Sequence, residues 1–159
     1  MGLARFAPLI GLACAACVRA AAPVPVRPDP QFITMSEPWP YPFSSAVRTG
    51  DLLFVSGQIG TRLEGGAPVL VAGGLEAETR QTLDNIRAIV EKAGTSMDRV
   101  VKCMVMLADM NDWPKVNEIY ATYFPGPKPA RSAFGATGLA LGARVEIECT
   151  ARVDGDEIR

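Results

Sequence analysis

Apolar residues recur along the chain at helical spacing in one long stretch, residues 75–93. The apolar positions of this stretch include Leu83, Ile86, Ile89, Val90 and Ala93. Their separations of mostly three and four residues are typical of one face of an amphipathic helix. Acidic residues near the start and Gly94 just past the end are typical helix boundaries. The pattern therefore predicts a helix of about five turns.

Other stretches have apolar patterns that are typical of β-strands. Residues 100–107 are apolar apart from Lys102, which predicts a strand buried on most of both faces. Residues 144–153 alternate between apolar and polar side chains, which predicts a strand with one solvated face. Residues 46–59 read as a hairpin around a glycine turn, and a glycine-rich loop is expected from 60 to 74.

A second helix is predicted from 112 to 124. Asn111 or Asp112 supplies its cap, Pro114 falls in its first turn, and a Pro-Gly-Pro sequence at 125–127 ends it. The element order is then hairpin, helix, strand, helix, strand. This order predicts an α+β fold with a mixed sheet and both helices on one face. The uncovered face suits an oligomer that has ligand clefts between its subunits.

The N-terminal segment has the order of a secretory signal. An apolar stretch at 6–18 follows Arg5 and leads into three alanines at 20–22. This stretch is too short to cross a hydrocarbon core of about 30 Å, so no stable membrane span is expected. The residues before Cys14 and Cys17 lack the order that lipidation prefers. We therefore expect an exported protein, periplasmic or secreted, rather than a lipoprotein.

Four prolines follow the signal, at positions 23, 25, 28 and 30. Repeated prolines fix φ and remove backbone donors, which predicts an extended linker. The predicted division of the chain is a signal peptide at 1–22, a Pro-rich linker at 23–31 and one folded domain at 32–159.

Composition and charge exclude several classes of function. With 48% hydrophobic and 21% charged residues, a chain of 159 residues can bury a core. The 16 basic and 17 acidic residues leave no basic excess, so a nucleic-acid partner is not expected. The chain has no histidine, which excludes Ser-His-Asp and Cys-His nucleophiles and any histidine metal site.

Two cysteines remain after removal of the signal, Cys103 and Cys149. Each falls within a strand-like stretch, where a buried free thiol is the expected state. A disulfide between them is the alternative in an oxidising compartment.

Two pairs of segments and one single segment carry more specific information than these patterns. Residues 42–47 (PFSSAV) lead to 54–59 (FVSGQI), residues 81–86 read QTLDNI, and residues 129–132 (PARS) lead to 145–148 (VEIE). In this order and spacing they resemble the RidA/YjgF reactive-intermediate deaminase family, across roughly residues 32 to 153.

The resemblance implies both an architecture and an activity. The implied subunit is chorismate-mutase-like and α+β, and it assembles as a homotrimer with three clefts between subunits. No metal or organic cofactor is implied. The implied reaction is hydrolysis of small enamine or imine intermediates, such as 2-aminoacrylate, to a 2-keto acid and ammonia.

Several site residues carry over from the family by position. Arg131 matches the arginine that grips the substrate carboxylate, and Glu146 matches the glutamate that orients the attacking water. Ser56 and Gly57 match a pair that lines the cleft, and Asn117 matches a helix asparagine near it. Without the resemblance, Arg131 reads as an ordinary surface or interface arginine, and Ser56 as a backbone partner.

The chain also departs from the family pattern at three positions. Phe43, carried over as a substrate-binding position, stands where a tyrosine is common, so the ring that can wall the cleft is kept and the hydroxyl is lost. Ala133 replaces a cysteine found in some members, which excludes a thiol there. Ser45 stands for a common glutamine.

Two other functions compete with deamination. A trimer that binds small carboxylates in the cell envelope without turning them over is the first, and the export signal favours it. Ribonuclease activity, a label that the family has also carried, is disfavoured by the charge balance and the missing histidines.

Overall fold

The computed structural model describes residues 29–36, 38 and 40–154. The signal peptide predicted at 1–22 lies outside the described residues, as does the linker up to residue 28. The eight strands are β1 (Gln31–Ile33), β2 (Ala46–Thr49), β3 (Leu52–Ile59), β4 (Thr61–Glu64), β5 (Ala67–Leu70), β6 (Val100–Leu107), β7 (Ala130–Gly135) and β8 (Val145–Arg152). The two α-helices are α1 (Gly74–Lys92) and α2 (Trp113–Tyr123).

Six strands form one mixed sheet in the order β1-β2-β3-β8-β6-β7. Only β6 and β7 are parallel within it, and the other neighbours are antiparallel. A parallel pair needs a long crossover connection, and α2 lies in the connection from β6 to β7. The predicted mixed sheet and α+β class are confirmed.

Both helices cover the same face of this sheet. Helix α1 packs on β3 and β8 and against α2. Its predicted apolar positions are buried, and so are Val116 and Ile119 of α2. The strand residues in the same core include Leu53, Val105, Val145 and Ile147. The core therefore lies between the helices and the sheet, as the periodicity predicts.

Four short strands were not predicted from the sequence. Residues 60–74 were expected as a loop, yet β4 and β5 form a separate hairpin there. Gly65 and Gly66 turn it with φ values of 58° and 86°, a conformation that glycine adopts without a Cβ penalty. Strands β1 and β7 are edge strands of the main sheet, where short and weakly patterned sequences are common.

The cap of α2 also differs from the prediction. Asp112 occupies the N-cap position, but its side chain makes no capping hydrogen bond. Its carboxylate instead accepts hydrogen bonds from the Arg144 guanidinium at 2.8 Å. This ion pair joins the start of α2 to the residue before β8.

The two core cysteines are bonded to each other. Cys103 of β6 lies directly opposite Cys149 of β8, with their Cα atoms 4.1 Å apart, and a disulfide links them. The expectation of free thiols was therefore wrong. The reason is the strand register, which the sequence does not display and which places the two side chains on the same face of adjacent strands.

The second face of the sheet carries no helix. Phe54 and Phe134 on this face are 47% and 46% exposed, and Phe32 at its edge is 72% exposed. Exposed aromatic side chains on one sheet face are typical of a surface that contacts another molecule. Within residues 29–154, as far as the structure describes them, no helix is long and apolar enough to cross a membrane.

Candidate active site

Arg131 lies on the edge strand β7 and faces helix α2. Its Nη2 donates a hydrogen bond to the Asn117 Oδ1 at 2.6 Å. The carbon of its guanidinium lies 4.6 Å from the centre of the Trp113 ring and 4.5 Å from that of Tyr120. Two predicted site residues, Arg131 and Asn117, are thus in direct contact.

The guanidinium keeps most of its donors available. Arginine has five N–H groups, and among the described residues only Asn117 accepts from Arg131. The side chain is partly buried, so a carboxylate bound there would be partly shielded from water. Burial raises the pKa of the neighbouring Tyr120 to about 12, so this phenol stays neutral. The cluster can therefore bind an anion.

Glu146 belongs to a second group on β8 and β3. A bulge interrupts the β3–β8 pairing between Val55 and Gln58, at Ser56 and Gly57. A Cβ added to Gly57 would lie 2.1 Å from the Glu146 Oε1, so a larger residue there would displace the carboxyl group from its present position. The carboxyl group therefore rests against the backbone of the bulge, and two more predicted site residues are in contact.

The Glu146 carboxyl group is electrostatically unfavourable as an anion. Burial raises its pKa, and the nearby charge of Glu148 raises it further. No hydrogen bond or ion pair to this carboxyl group is found among the residues that the structure describes. A partly buried carboxyl group with a raised pKa and unused hydrogen-bonding positions is suited to general acid–base chemistry.

Ser56 lies in the bulge beside Gly57, and Phe43 precedes the segment that Ser56 contacts. The Ser56 hydroxyl donates to the Ser44 carbonyl at 2.7 Å, so it holds the segment before β2 onto the bulge. This bond accords with the backbone role considered for Ser56. Phe43 is 52% exposed and stacks on Tyr41, with ring centres 5.5 Å apart.

One chain does not bring the two groups together. Arg131 is aligned with Cys103 and Cys149 and shares their helix-covered face. Glu146 is aligned with Met106 on the opposite face. Two strand spacings and three residue rises separate the Cα atoms of Arg131 and Glu146 by roughly 14 Å. Within one chain, these two predicted catalytic residues therefore lie apart.

The two aromatic residues around Arg131 were not predicted as site residues from the sequence. Trp113, Asn117 and Tyr120 are spaced by four and three residues, so they share one face of α2. An amide at the centre of an apolar helix face was the available signal. Aromatic residues at that spacing more often indicate core packing, and Tyr120 does lie in the core.

Fold and site together define a class of small α+β protein. The chain combines a helix-backed mixed sheet with an arginine on the edge strand and a carboxyl group on the opposite sheet face. Comparison with known proteins places the chain within this class. The sequence profile described as Endoribonuclease L-PSP matches residues 35–153.

Two characterised relatives and one solved structure are similar over most of the domain. The Mus musculus protein named 2-iminobutanoate/2-iminopropanoate deaminase is 46% identical over 110 residues, 69% of this chain and 80% of that protein. Reactive Intermediate Deaminase A, chloroplastic, of Arabidopsis thaliana is 44% identical over 110 residues, 69% of this chain and 58% of that protein. A crystal structure of YyfA from Yersinia pestis, of the Rid protein family, matches with a TM-score of 0.70 and 38% identity, covering 79% of this chain and 100% of that chain. The chain belongs to the RidA/YjgF family.

Proposed function

We propose that the protein is a hydrolytic deaminase of small enamine and imine acids of the 2-aminoacrylate type. The observation that carries the proposal is the guanidinium of Arg131, held by Asn117 and two rings with most of its N–H donors unused. The names of the two relatives support the same chemistry.

The reaction needs little chemical assistance. An enamine takes up a proton on carbon to become an imine, and the imine carbon is already electrophilic. Water adds to that carbon, the C–N bond breaks, and nitrogen leaves as ammonia while the oxygen stays as the ketone of a 2-keto acid. The enzyme has to hold the carboxylate, supply and remove protons, and position one water molecule.

Arg131 holds the substrate carboxylate in this proposal. A guanidinium presents two parallel N–H donors to the two oxygens of a carboxylate, a geometry that lysine lacks. The partly buried position favours the ion pair, because water screens it less. Asn117 fixes one end of the guanidinium through its 2.6 Å hydrogen bond.

Glu146 orients the attacking water and exchanges protons with it. Its raised pKa makes the carboxylate a better base and its protonated form more populated near neutral pH. Gly57 gives this carboxyl group room, and Ser56 ties the bulge to the preceding segment. Phe43 forms an apolar wall of the cleft by its exposed ring.

The complete site is formed between two copies of the chain, in a homotrimer. Arg131 with Asn117 comes from one copy, and Glu146 with Gly57 comes from its neighbour. The opposite-face placement of the two groups supports this assignment. The exposed Phe54 and Phe134 on the helix-free face of the sheet support a subunit interface there.

A coupled assay of ammonia and 2-keto acid release tests the proposal. Wild-type protein should accelerate hydrolysis of 2-aminoacrylate, and Arg131→Ala should abolish this activity while the oligomer stays intact. Arg131→Lys should raise KM by about tenfold or more, because bidentate binding is lost. Arg80→Lys, in an exposed pair with Glu76 on α1, is the matched control and should retain wild-type values.

A binding measurement on the same protein distinguishes the deaminase from a non-catalytic carboxylate-binding trimer. Calorimetric titration with 2-ketobutyrate reports binding at the Arg131 cluster irrespective of turnover. Binding without ammonia release selects the binding protein, and full activity of Arg131→Ala contradicts both functions as they are assigned here.

The location of the protein is part of the proposal. We place it in an oxidising compartment outside the cytoplasm, periplasmic or extracellular. The disulfide between Cys103 and Cys149 supports this location, because such bonds are rare in reducing compartments. Mass spectrometry of the protein from its native compartment should give a new N-terminus near residue 22, and an intact Met1 on a cytoplasmic protein would contradict it.

A further inference from the structure

The contacts of Arg131 include two aromatic rings that the family resemblance did not single out. Trp113 and Tyr120 lie seven residues apart on α2, and Asn117 lies between them on the same face. The guanidinium carbon is 4.6 Å from one ring centre and 4.5 Å from the other. One side chain of β7 is therefore contacted at three places by a single helix face.

Each contact constrains the guanidinium differently. A cation is attracted to the face of an aromatic ring, within about 6 Å of its centre. These contacts are made by the guanidinium carbon over the two rings, whereas the N–H donors point outward in the plane of the group. The hydrogen bond to Asn117 occupies one of those donors. The remaining edge stays available to a carboxylate.

Holding the side chain has a consequence for affinity. A free arginine populates many rotamers, and a ligand that immobilises it loses part of its binding free energy to that ordering. Rings that fix the guanidinium beforehand remove this loss. Trp113 is only partly buried, whereas Tyr120 is 5% exposed. The ring of Trp113 therefore contributes less to core packing than the ring of Tyr120.

We propose that Trp113 and Tyr120 are positioning residues for Arg131, forming an aromatic cradle that presents the guanidinium edge to the carboxylate of the substrate. The inference rests on the proposed function only for the identity of that substrate. The affinity for the carboxylate then depends on the aromatic residues of α2 as well as on Arg131 of β7. Tyr120 stays neutral, because burial raises its pKa, so its contact with Arg131 is one between a cation and an uncharged ring and not an ion pair.

The matched pair Trp113→Phe and Trp113→Met tests the cradle. Both replacements are apolar, and only phenylalanine keeps a ring face. Trp113→Met should raise KM for 2-aminoacrylate by about tenfold with kcat within about twofold, and Trp113→Phe should recover most of the loss. Tyr123→Met removes a ring from the other cation–π pair of α2, with Arg87, and should leave KM unchanged.

Calorimetric affinity for 2-ketobutyrate, measured in parallel, separates the two claims. If wild-type protein shows no turnover while Trp113→Met still weakens 2-ketobutyrate binding, the cradle stands and the deaminase proposal fails. If wild-type protein turns over and both Trp113 variants match it in KM and affinity, the cradle is overturned and the function stands.

A second measurement applies if Trp113→Met fails to fold. In a Trp39→Phe background, Trp113 is the one remaining tryptophan. Arg131→Ala should then shift or intensify its emission, because the cation beside the ring is removed. Unchanged emission would show that Arg131 does not lie against this ring, and the cradle would be rejected.

Discussion

Glu146 illustrates how a single residue can be poor for stability and suited to catalysis. Its carboxyl group is partly buried, near Glu148, and rests against Gly57 without a partner among the described residues. Each of these features disfavours its anion. Residues that oppose stability in this way are enriched at active sites.

The substitution Glu146→Gln should separate these two effects. Because burial raises the native pKa of Glu146 above its unfolded value, wild-type stability falls as pH rises through the native pKa. The Glu146→Gln protein has no carboxyl group to ionise at this position and does not lose this stability. Its Tm should therefore exceed the wild-type Tm at pH 7, and the two Tm values should converge below about pH 4. Its kcat should fall by about 100-fold or more.

Glu148→Gln is the matched control for that comparison. It removes the neighbouring charge and should lower the pKa of Glu146 while leaving its carboxyl group in place. Thermal unfolding and pH–rate profiles of the three proteins provide the measurement. A Glu146→Gln protein that is less stable than wild type at pH 7 would contradict the electrostatic assignment.

At the scale of elements, the disulfide joins the two strands that connect both halves of the site. Strand β6 pairs with β7, which carries Arg131, and β8 carries Glu146. The bond closes a loop of 46 residues between Cys103 and Cys149. Constraining an unfolded loop of that length contributes about 4 kcal/mol in the chain-entropy estimate.

Reduction should therefore lower the stability of the wild-type protein. We expect reductant to decrease its free energy of unfolding by about 2–4 kcal/mol, measured by urea denaturation. The double variant Cys103→Ala and Cys149→Ala should unfold at the same urea concentration with and without reductant. An identical transition for oxidised and reduced wild-type protein would count against a stabilising disulfide.

The elements also show what the sequence could predict. Helix α1 and strand β8 follow from clear periodicities, because each has one buried face. The edge strand β7 has no such pattern, although it positions Arg131. The pairing of Cys103 with Cys149 depends on strand register, and the ring of Trp113 against Arg131 depends on how α2 lies over the sheet. Such long-range relations are absent from a local pattern.

At the scale of the whole molecule, the proposed site is complete only with a second copy of the chain. The candidate site residues divide into two groups on opposite faces of one sheet. A cyclic assembly repeats the same interface, so each arginine group can face the glutamate group of the next copy.

Mixing two inactive variants tests this arrangement most directly. Arg131→Ala and Glu146→Ala chains are unfolded together in equal amounts, refolded, and assayed for ammonia release beside each variant alone. If the site is shared, random assembly restores about one quarter of the wild-type sites, because one interface in four combines an intact arginine with an intact glutamate. If both residues act within one chain, the mixture stays as inactive as its components, and the account is contradicted.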